Sequence, residues 1–185
     1  MLDLEAVGAL FDSHCTRSAF RMEVMDRYDV VTDGDDVARY LAGEQAPDAA
    51  AKGPWLDQLR NDTAAGKRWT RVHVLQPPLN DYLRYECEWG YVYNAAAGED
   101  IKILDLSQQD RPDALIEEEF WILDDACVLR MHYDAAASFF GGEILSAGDL
   151  PRYQAARDAA WAAAEPFAPW WARHPEYHRA NRTAQ

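Results

Sequence analysis

The stretch EFWILDDACVLRMHYD, residues 119–134, decides the fold of this chain. Its first part holds a continuous apolar run at residues 120–123, which is typical of a strand covered on both faces. An Asp-Asp pair then supplies the residues of a turn. Residues 127–134 alternate between apolar side chains and a second, more polar set, as a strand does. The stretch therefore predicts a β-hairpin at or near the centre of a sheet.

Strand and helix patterns continue on both sides of this hairpin. Further strands are predicted at residues 20–24, 69–74, 101–104 and 139–145. Helices are predicted at residues 3–11, 35–41, 54–66, 79–97 and 150–167. The strand at residues 20–24 reads as half-buried, because charged residues occupy its alternate positions. This order of elements predicts an α/β or α+β fold in which helices pack on a single mixed sheet.

The chain is expected to form one globular domain over residues 18–171, because no linker divides its regular part. An N-terminal helix precedes the domain in residues 1–17, and a basic C-terminal tail follows it in residues 172–185. Residues 44–53 read EQAPDAAAKG and show no periodicity, so we expect a mobile loop there. Pro54 then opens the next helix from a first-turn position.

Composition sets limits on the function. The chain has 185 residues, of which 49% are apolar, so it can bury a sizeable core and is not a disordered chain. Its 18 Lys and Arg residues against 32 Asp and Glu residues give a formal net charge of −14. Because each phosphate contact needs a cationic side chain, direct binding of nucleic acid is not expected.

Targeting and redox signals point to the cytoplasm. The first residues carry no basic region and no apolar run approaches membrane-spanning length, so no association with a membrane is expected. Cys15, Cys87 and Cys127 are widely spaced and form no CxxC pair, which fits a reducing compartment. His174 and His178 have metal-ligand spacing, but a proline between them interrupts the helix that would align them. We therefore expect no metal and no cofactor.

The helix predicted over residues 79–97 holds the most informative carboxylate. At about 100° per residue, Tyr82, Trp89 and Tyr93 share one apolar face, and Glu86 falls in the middle of it. A carboxylate in an apolar stripe must be neutralised, paired or exposed in a cleft. Glu86 is therefore either the acid of a pocket or a structural carboxylate bonded to a hydroxyl or an arginine.

The strand at residues 127–134 offers a complement to Glu86. If its polar face lines a cleft, Arg130 and His132 meet Glu86 and form a polar cluster; if that face lies in solvent, they are surface charges. No catalytic residue is assigned, because the chain holds neither a GxSxG turn nor a phosphate-binding glycine loop. The candidate ligand-binding residues are Tyr82, Glu86, Trp89, Tyr93, Arg130 and His132.

Four short segments carry a family resemblance. They are DYLRYE (residues 81–86), AGEDIKIL (97–104), EFWILDD (119–125) and MHYD (131–134). In this order they resemble an uncharacterised actinobacterial family, a domain of unknown function often encoded near helix-turn-helix regulators. The resemblance covers about residues 20–171 and implies a cytoplasmic actinobacterial protein, but it supplies no activity.

The order of elements is also similar to one half of the phospholipase D fold, in which a glycine turn leads into a strand and a later strand ends in Asp. The catalytic signature of that superfamily is HxKxxxxD. Counted back from Asp124, its His and Lys positions hold Glu117 and Glu119; counted back from Asp125, they hold Glu118 and Phe120. The resemblance therefore implies a sensor or binding relative without phosphodiester chemistry.

Together these observations favour a non-enzymatic, soluble protein that binds a small molecule or a protein partner. The partner that the resemblance implies is a helix-turn-helix transcriptional regulator. One alternative is an enzyme that acts on a small polar substrate with Glu86, Arg130 and His132. The other is an acidic mimic of nucleic acid, which the net charge would permit. A convergent pocket at Glu86 would favour the enzyme, and a flat acidic surface would favour the mimic.

Overall fold

The computed structural model describes residues 1–29 and 34–181 of the chain. Its strands are β1 (Ser18–Glu23), β2 (Arg68–Leu75), β3 (Asp100–Asp105), β4 (Glu119–Leu123), β5 (Cys127–Tyr133), β6 (Phe139–Ile144) and β7 (Glu165–Pro166). They form one sheet in the order β6-β5-β4-β1-β2-β3-β7. The pairs β1–β2 and β2–β3 are parallel and the others are antiparallel. This α+β arrangement confirms the single mixed sheet predicted from the sequence.

The helices pack against this sheet. They are α1 (Leu4–His14), α2 (Asp36–Leu41), α3 (Ala49–Ala64), α4 (Asp81–Tyr85), α5 (Val92–Ala97), α6 (Leu150–Ala163) and α7 (Phe167–Arg173). Two 3₁₀ turns follow at Pro175–Tyr177 and Arg179–Asn181. None of the described helices is long and apolar enough to cross a membrane.

The predicted hairpin is present as β4 and β5. Asp124 and Asp125 have φ values of 52° and 58°, so the first two residues of the three-residue loop between Leu123 and Cys127 are left-handed. The Asp124 carboxylate accepts hydrogen bonds from the backbone N–H groups of Thr16, Arg17 and Ser18 and from the Thr16 hydroxyl. The turn thereby fixes the entry of the chain into β1.

The α3 helix begins earlier than the sequence predicted. It starts at Ala49 instead of Pro54, because the Asp48 carboxylate accepts from the N–H groups of Ala50 and Ala51 and caps the helix. Pro54 therefore lies inside the helix. The second half of the expected loop at residues 44–53 is helical, so the absence of apolar periodicity there was misleading.

The two faces of the sheet have different cores. One face packs Phe20, Met22 and Phe120 against Tyr153 and Ala156 of α6 and is apolar. The helices α1, α3, α4, α5 and α7 contribute to the apolar clusters of the opposite face. That opposite face also carries the charged residues of β1 and β2.

The prediction of a half-buried strand at residues 20–24 is therefore wrong. Arg21 and Glu23 were expected to alternate with buried residues, yet they are only 3% and 5% exposed. Their charges tolerate burial because they are paired with each other and with neighbouring strands.

A π turn interrupts the helix predicted over residues 79–97. Residues Glu86–Tyr91 form this π turn between α4 and α5. The helical segment begins at Asn80, whose side-chain oxygen accepts from Leu83 N–H. It ends at Gly98, as predicted, with φ at 112°. Single π turns in helices are frequent at functional sites, and this one carries Glu86.

The C-terminal residues up to Asn181 pack back onto the domain. An imidazole nitrogen of His178 lies 2.9 Å from the Trp171 carbonyl oxygen, and the Arg179 N–H donates to the Glu88 carboxylate. Residues 182–185, the end of the expected basic tail, lie outside the described residues.

Candidate functional site

A cavity of about 320 Å³ lies over β1 and β2, between the sheet and the π turn. Its volume is at the lower end of the range for small-molecule sites. Strand residues form its floor, and the walls are mainly aromatic. Its lining includes Arg21, Glu23 and Arg71 from β1 and β2; Tyr82, Tyr85, Glu86, Gly90, Tyr91 and Asn94 from the helical segment; Trp121, Met131 and Tyr133 from β4 and β5; and Tyr28, Lys52 and Trp55.

Glu23 is the centre of a buried ion network in the floor. Its Oε1 accepts from Arg71 Nη1 at 2.5 Å and from Arg21 Nε at 3.3 Å. Arg71 Nε in turn donates to Glu99 at 2.8 Å. Burial alone would raise the pKa of Glu23, but Arg71 and Arg21 outweigh it, so that the pKa lies well below its usual range. Glu23 is therefore ionised and holds both arginines.

Glu119 completes the network on the β4 side. It accepts from Arg21 Nη2 at 2.5 Å, from the N–H groups of Val24 and Met25, and from the Tyr28 hydroxyl. One carboxylate thus fixes a guanidinium group and the chain that leaves β1. These buried ion pairs and hydrogen bonds hold the cavity floor in one geometry.

The hydrogen bonds around His73 determine its protonation state. Its Nε2 lies 2.8 Å from the Met25 carbonyl oxygen, which only accepts, so Nε2 carries a proton. The Tyr91 hydroxyl is 2.7 Å from Glu23 Oε2 and gives its proton to that carboxylate. His73 Nδ1 is 2.6 Å from the same hydroxyl oxygen and must therefore donate to it. Both ring nitrogens are protonated, and His73 is an imidazolium.

The electrostatic surroundings of His73 agree with this assignment. Burial alone would lower the pKa of His73, but Glu86 and Glu23 outweigh it and the net shift is upward. Tyr91 keeps its proton, because burial and the nearby carboxylates raise its pKa well above the ordinary value.

Glu86 is the least satisfied carboxylate of the site. Its Oε2 lies 3.4 Å from His73 Nδ1, whose proton is directed to Tyr91. Within residues 1–29 and 34–181, no other carboxylate oxygen is buried without a hydrogen-bond partner. Burial raises the pKa of Glu86, and the nearby His73 offsets only part of that shift.

Two further buried polar atoms of the cavity lining lack partners. They are Arg21 Nη1, which is a donor, and Asn94 Oδ1, which is an acceptor. The Asn94 amide is oriented by its Nδ2, which donates to Glu99 at 2.9 Å, so the unpaired atom is the oxygen. A buried polar group without a partner costs about 1–3 kcal/mol. Three residues that line the cavity thus carry one donor and two acceptors without a hydrogen-bond partner.

Glu23, His73 and Glu86 also form the one group of three potential metal ligands found in the described parts of the chain, with ligand atoms within 4.8 Å of one another. The donor set does not suit a metal. Both Glu23 oxygens already accept hydrogen bonds from Arg71 and Tyr91, and His73 Nδ1 carries a proton.

The structure brings together only part of the site predicted from the sequence. Tyr82 and Glu86 line the cavity. Trp89 is 2% exposed and packs on Tyr40 and Tyr85, while Tyr93 joins the cluster around Leu59 and Trp69. The π turn changes the phase of the helix, so the face drawn at 3.6 residues per turn is not the face of the cavity.

The predicted meeting of Arg130 and His132 with Glu86 is wrong. Arg130 pairs across the ladder with Phe120, on the α6 face of the sheet. There Arg130 binds Glu118 and Glu143, and an imidazole nitrogen of His132 lies 3.1 Å from Glu143. The alternate residues of the same strand, Met131 and Tyr133, are the ones that line the cavity.

Sequence reasoning missed the four buried charged residues of β1 and β2. Arg21 is paired in register with Arg71, and Glu23 with His73, so an Arg-x-Glu strand lies beside an Arg-x-His strand. This repeated charged spacing in two neighbouring strands was the available signal. It was hidden because alternating charges are also the ordinary pattern of a solvent-facing strand.

Comparison with known proteins gives a family but no activity. A family model described as a domain of unknown function (DUF6879) matches residues 5–172. No curated protein matches the chain.

Proposed function

We propose that this chain, which belongs to the DUF6879 family of unknown function, is a ligand-binding protein whose cavity over β1 and β2 holds a small polar molecule. The observation that carries this proposal is the set of three unpartnered buried atoms, Arg21 Nη1, Glu86 Oε2 and Asn94 Oδ1, around one cavity. Most buried polar groups in proteins are hydrogen-bonded, so three unpaired atoms on residues of one cavity call for a partner.

The rest of the site supports the same function. The ion network fixes Arg21 and Arg71 before any ligand arrives, which reduces the entropy lost on binding. Aromatic side chains form the walls, a combination typical of small-molecule sites with a few placed polar groups. The cavity also favours ligand binding over mimicry of nucleic acid, because a mimic needs only a charged surface.

A second candidate function is proton transfer to the bound molecule. The specific observation is that Glu86, an acid of raised pKa, lies in the cavity wall beside the His73 imidazolium. A carboxylic acid whose pKa is raised by burial suits general acid–base chemistry. Phosphodiester cleavage is not expected, since Glu119 is bonded to Arg21 and Tyr28, and Glu117 pairs with Arg111 away from this cavity.

We further propose that the protein is cytoplasmic and acts beside a helix-turn-helix regulator. Both proposals fit a protein that changes its interactions with a partner when a small ligand binds. Binding of the ligand would then be the input to regulation.

A variant that fills the cavity tests the proposed function. Gly90 lines the cavity, and a Cβ added there meets only Glu86 Cγ at 3.5 Å, so Gly90→Leu should fold and occupy ligand space. The matched control is Gly8→Leu in α1, where nothing lies within 4 Å of an added Cβ. The two variants and the natural chain are screened by thermal shift against a library of polar metabolites.

We expect a ligand that stabilises the natural chain and Gly8→Leu and has no effect on Gly90→Leu. A ligand that stabilises all three equally binds elsewhere and contradicts the proposed site. If no polar metabolite at millimolar concentration stabilises the natural chain, the proposed function is wrong.

A further inference from the structure

We infer that the ligand is a zwitterion of the amino-acid class, with its ammonium group at Glu86 and Asn94 and its carboxylate at Arg21. This inference rests on the proposed function and names its ligand. It follows from the donor and acceptor types of the unpartnered atoms, from the charge balance of the network, and from the aromatic walls.

The acceptors require a donor on the ligand. Glu86 Oε2 and Asn94 Oδ1 lie in the same wall of the cavity, on the π turn and on α5. The orientation of Asn94 is set by Glu99, so its oxygen cannot be exchanged for the amide nitrogen. An ammonium group carries three donors, so the ligand donor that these two oxygens require is an ammonium group.

The charge balance of the network favours a cation at Glu86. The cations Arg21, Arg71 and His73 stand against four carboxylates, Glu23, Glu86, Glu99 and Glu119. With every group ionised, three positive charges against four negative ones leave one negative charge. Glu86 carries that surplus charge, since the other three carboxylates each accept from a guanidinium group. A ligand ammonium would neutralise it.

The unpaired donor on Arg21 requires an acceptor elsewhere on the ligand. Arg21 Nη1 is unpartnered, while Nε and Nη2 of the same guanidinium are held by Glu23 and Glu119. Guanidinium groups bind carboxylates through strong charge-assisted hydrogen bonds. Lys52 is a third cation of the lining, after Arg21 and Arg71. A molecule with only an amine would leave Arg21 Nη1 unsatisfied.

The walls suit the remainder of such a molecule. Tyr82, Tyr85 and Trp55 supply aromatic faces, which attract an ammonium group and bury an apolar side chain. A phosphate is disfavoured because Glu23 and Glu86 both line the cavity. The net charge of −14 also attracts a cationic group more than an anionic one.

The test uses the full chain, isothermal titration and the twenty free L-amino acids as probes. Each amino acid that binds is then compared with its decarboxylated amine and with the acid that lacks the amino group. We expect saturable binding of at least one amino acid, and a loss of about 30-fold or more in affinity when either charged group is removed.

Glu86→Gln separates the role of this carboxylate from a general effect on the fold. The variant should lower the affinity for the amino acid by about tenfold and leave the affinity for the des-amino acid unchanged. Glu143→Gln is the control, since Glu143 lies on the other side of the sheet with Arg130, and it should leave both affinities unchanged.

Three results would overturn the inference. The first is that no amino acid binds, while another polar metabolite binds to the natural chain but not to Gly90→Leu. In that case the proposed function stands and the inferred class of ligand is wrong. The second is that the amine binds as tightly as the amino acid. The third is that Glu86→Gln weakens the amino acid and the des-amino acid equally. If nothing binds at all, the proposed function itself fails.

Discussion

His73 Nδ1 lies 3.4 Å from Glu86 Oε2, although the two side chains come from different layers of the fold, strand β2 and the π turn. The Nδ1 atom of the imidazolium faces both the Tyr91 hydroxyl and Glu86, while its Nε2 atom lies against the Met25 carbonyl oxygen. The charge of Glu86 is therefore coupled to the charge of buried His73. A change in the ionisation of Glu86 alters the electrostatic environment of strand β2.

The protonation state of His73 is directly measurable. We expect both ring nitrogens to be protonated at pH 7, because the Met25 carbonyl and the Tyr91 hydroxyl oxygen both accept from the ring. Nitrogen chemical shifts of the imidazole, assigned with a His73→Gln variant, report this state. Shifts of a neutral tautomer at pH 6 would refute the hydrogen-bond assignment.

The raised pKa of His73 predicts how the free energy of unfolding depends on pH. The folded-state pKa of His73 is raised above its ordinary value of 6.5, so the folded protein binds the proton more tightly than the unfolded chain. The stabilising contribution is complete below pH 6.5 and is lost as the pH rises through the folded-state value. The raised pKa of Glu86 acts in the same direction at lower pH. Urea unfolding of the natural chain should lose stability above neutral pH, and the His73→Gln variant should lose less.

Glu23→Ala should be among the most destabilising single substitutions. It leaves Arg21 and Arg71 without the carboxylate they share, and removal of one partner from a buried charge pair costs about 3–5 kcal/mol. Urea unfolding followed by tryptophan fluorescence measures the loss. Glu143→Ala removes an exposed partner of Arg130 and should change stability little. Equal losses in the two variants would contradict the network described for β1 and β2.

Two glycines of the helical segment should respond to alanine in opposite ways. Gly90→Ala places a Cβ in ordinary contact with Glu86 Cγ and should stabilise the protein by up to about 1 kcal/mol, because glycine is a poor helix former. Gly98→Ala should destabilise it, because φ is +112° and the new Cβ would lie 2.5 Å from Thr63 Oγ1. Thermal unfolding of both variants checks this contrast, and a loss of stability in Gly90→Ala would show that the π turn needs glycine.

Asp124→Ala should weaken the link between the hairpin and β1. The change removes an acceptor of four hydrogen bonds and leaves alanine at a φ of 52°. Because most of the donors are exposed and water replaces the carboxylate there, we expect a loss of about 1 kcal/mol. Hydrogen bonds from Thr16, Arg17 and Ser18 also lower the pKa of Asp124. Its contribution is thus present above its ordinary pKa and is lost as the pH falls through the folded-state value.

Asp124→Gly separates the two effects, because glycine accepts the left-handed backbone but supplies no carboxylate. Thermal unfolding at neutral pH should place Asp124→Gly between the natural chain and Asp124→Ala. Unchanged stability in both variants would show that the turn forms without this carboxylate.

The sequence predicted the elements better than it predicted the site. The hairpin at residues 119–134 and the helix end at Gly98 follow from local patterns, since an apolar run, an Asp-Asp turn and a C-terminal glycine act over a few residues. The ion network does not follow from such patterns. Whether Arg21 faces solvent or a buried partner depends on Arg71 and Glu119, which lie far away along the chain.

The helix face that carries Glu86 also shows that local patterns do not predict the neighbours of a side chain. A wheel drawn at 3.6 residues per turn placed Glu86 on an apolar face, and in the structure its side chain is 12% exposed. It also placed Trp89 and Tyr93 beside Glu86, and the wider π turn moves both into other clusters. The predicted strand partners failed because a strand presents alternate residues to opposite faces, and the pattern alone does not say which face a helix covers.

The π turn makes the alignment of α5 depend on a single residue. Deleting one residue within Glu86–Tyr91 would let the segment close as a regular helix, since a π turn holds one residue more per turn than the helix around it. Every following position would then rotate by about 100° about the helix axis. Asn94 would leave Glu99 and the cavity together, while the helix itself gained regular hydrogen bonds. In this protein a small deletion would thus repair the helix and abolish the site, so insertions and deletions here should be far less tolerated than substitutions.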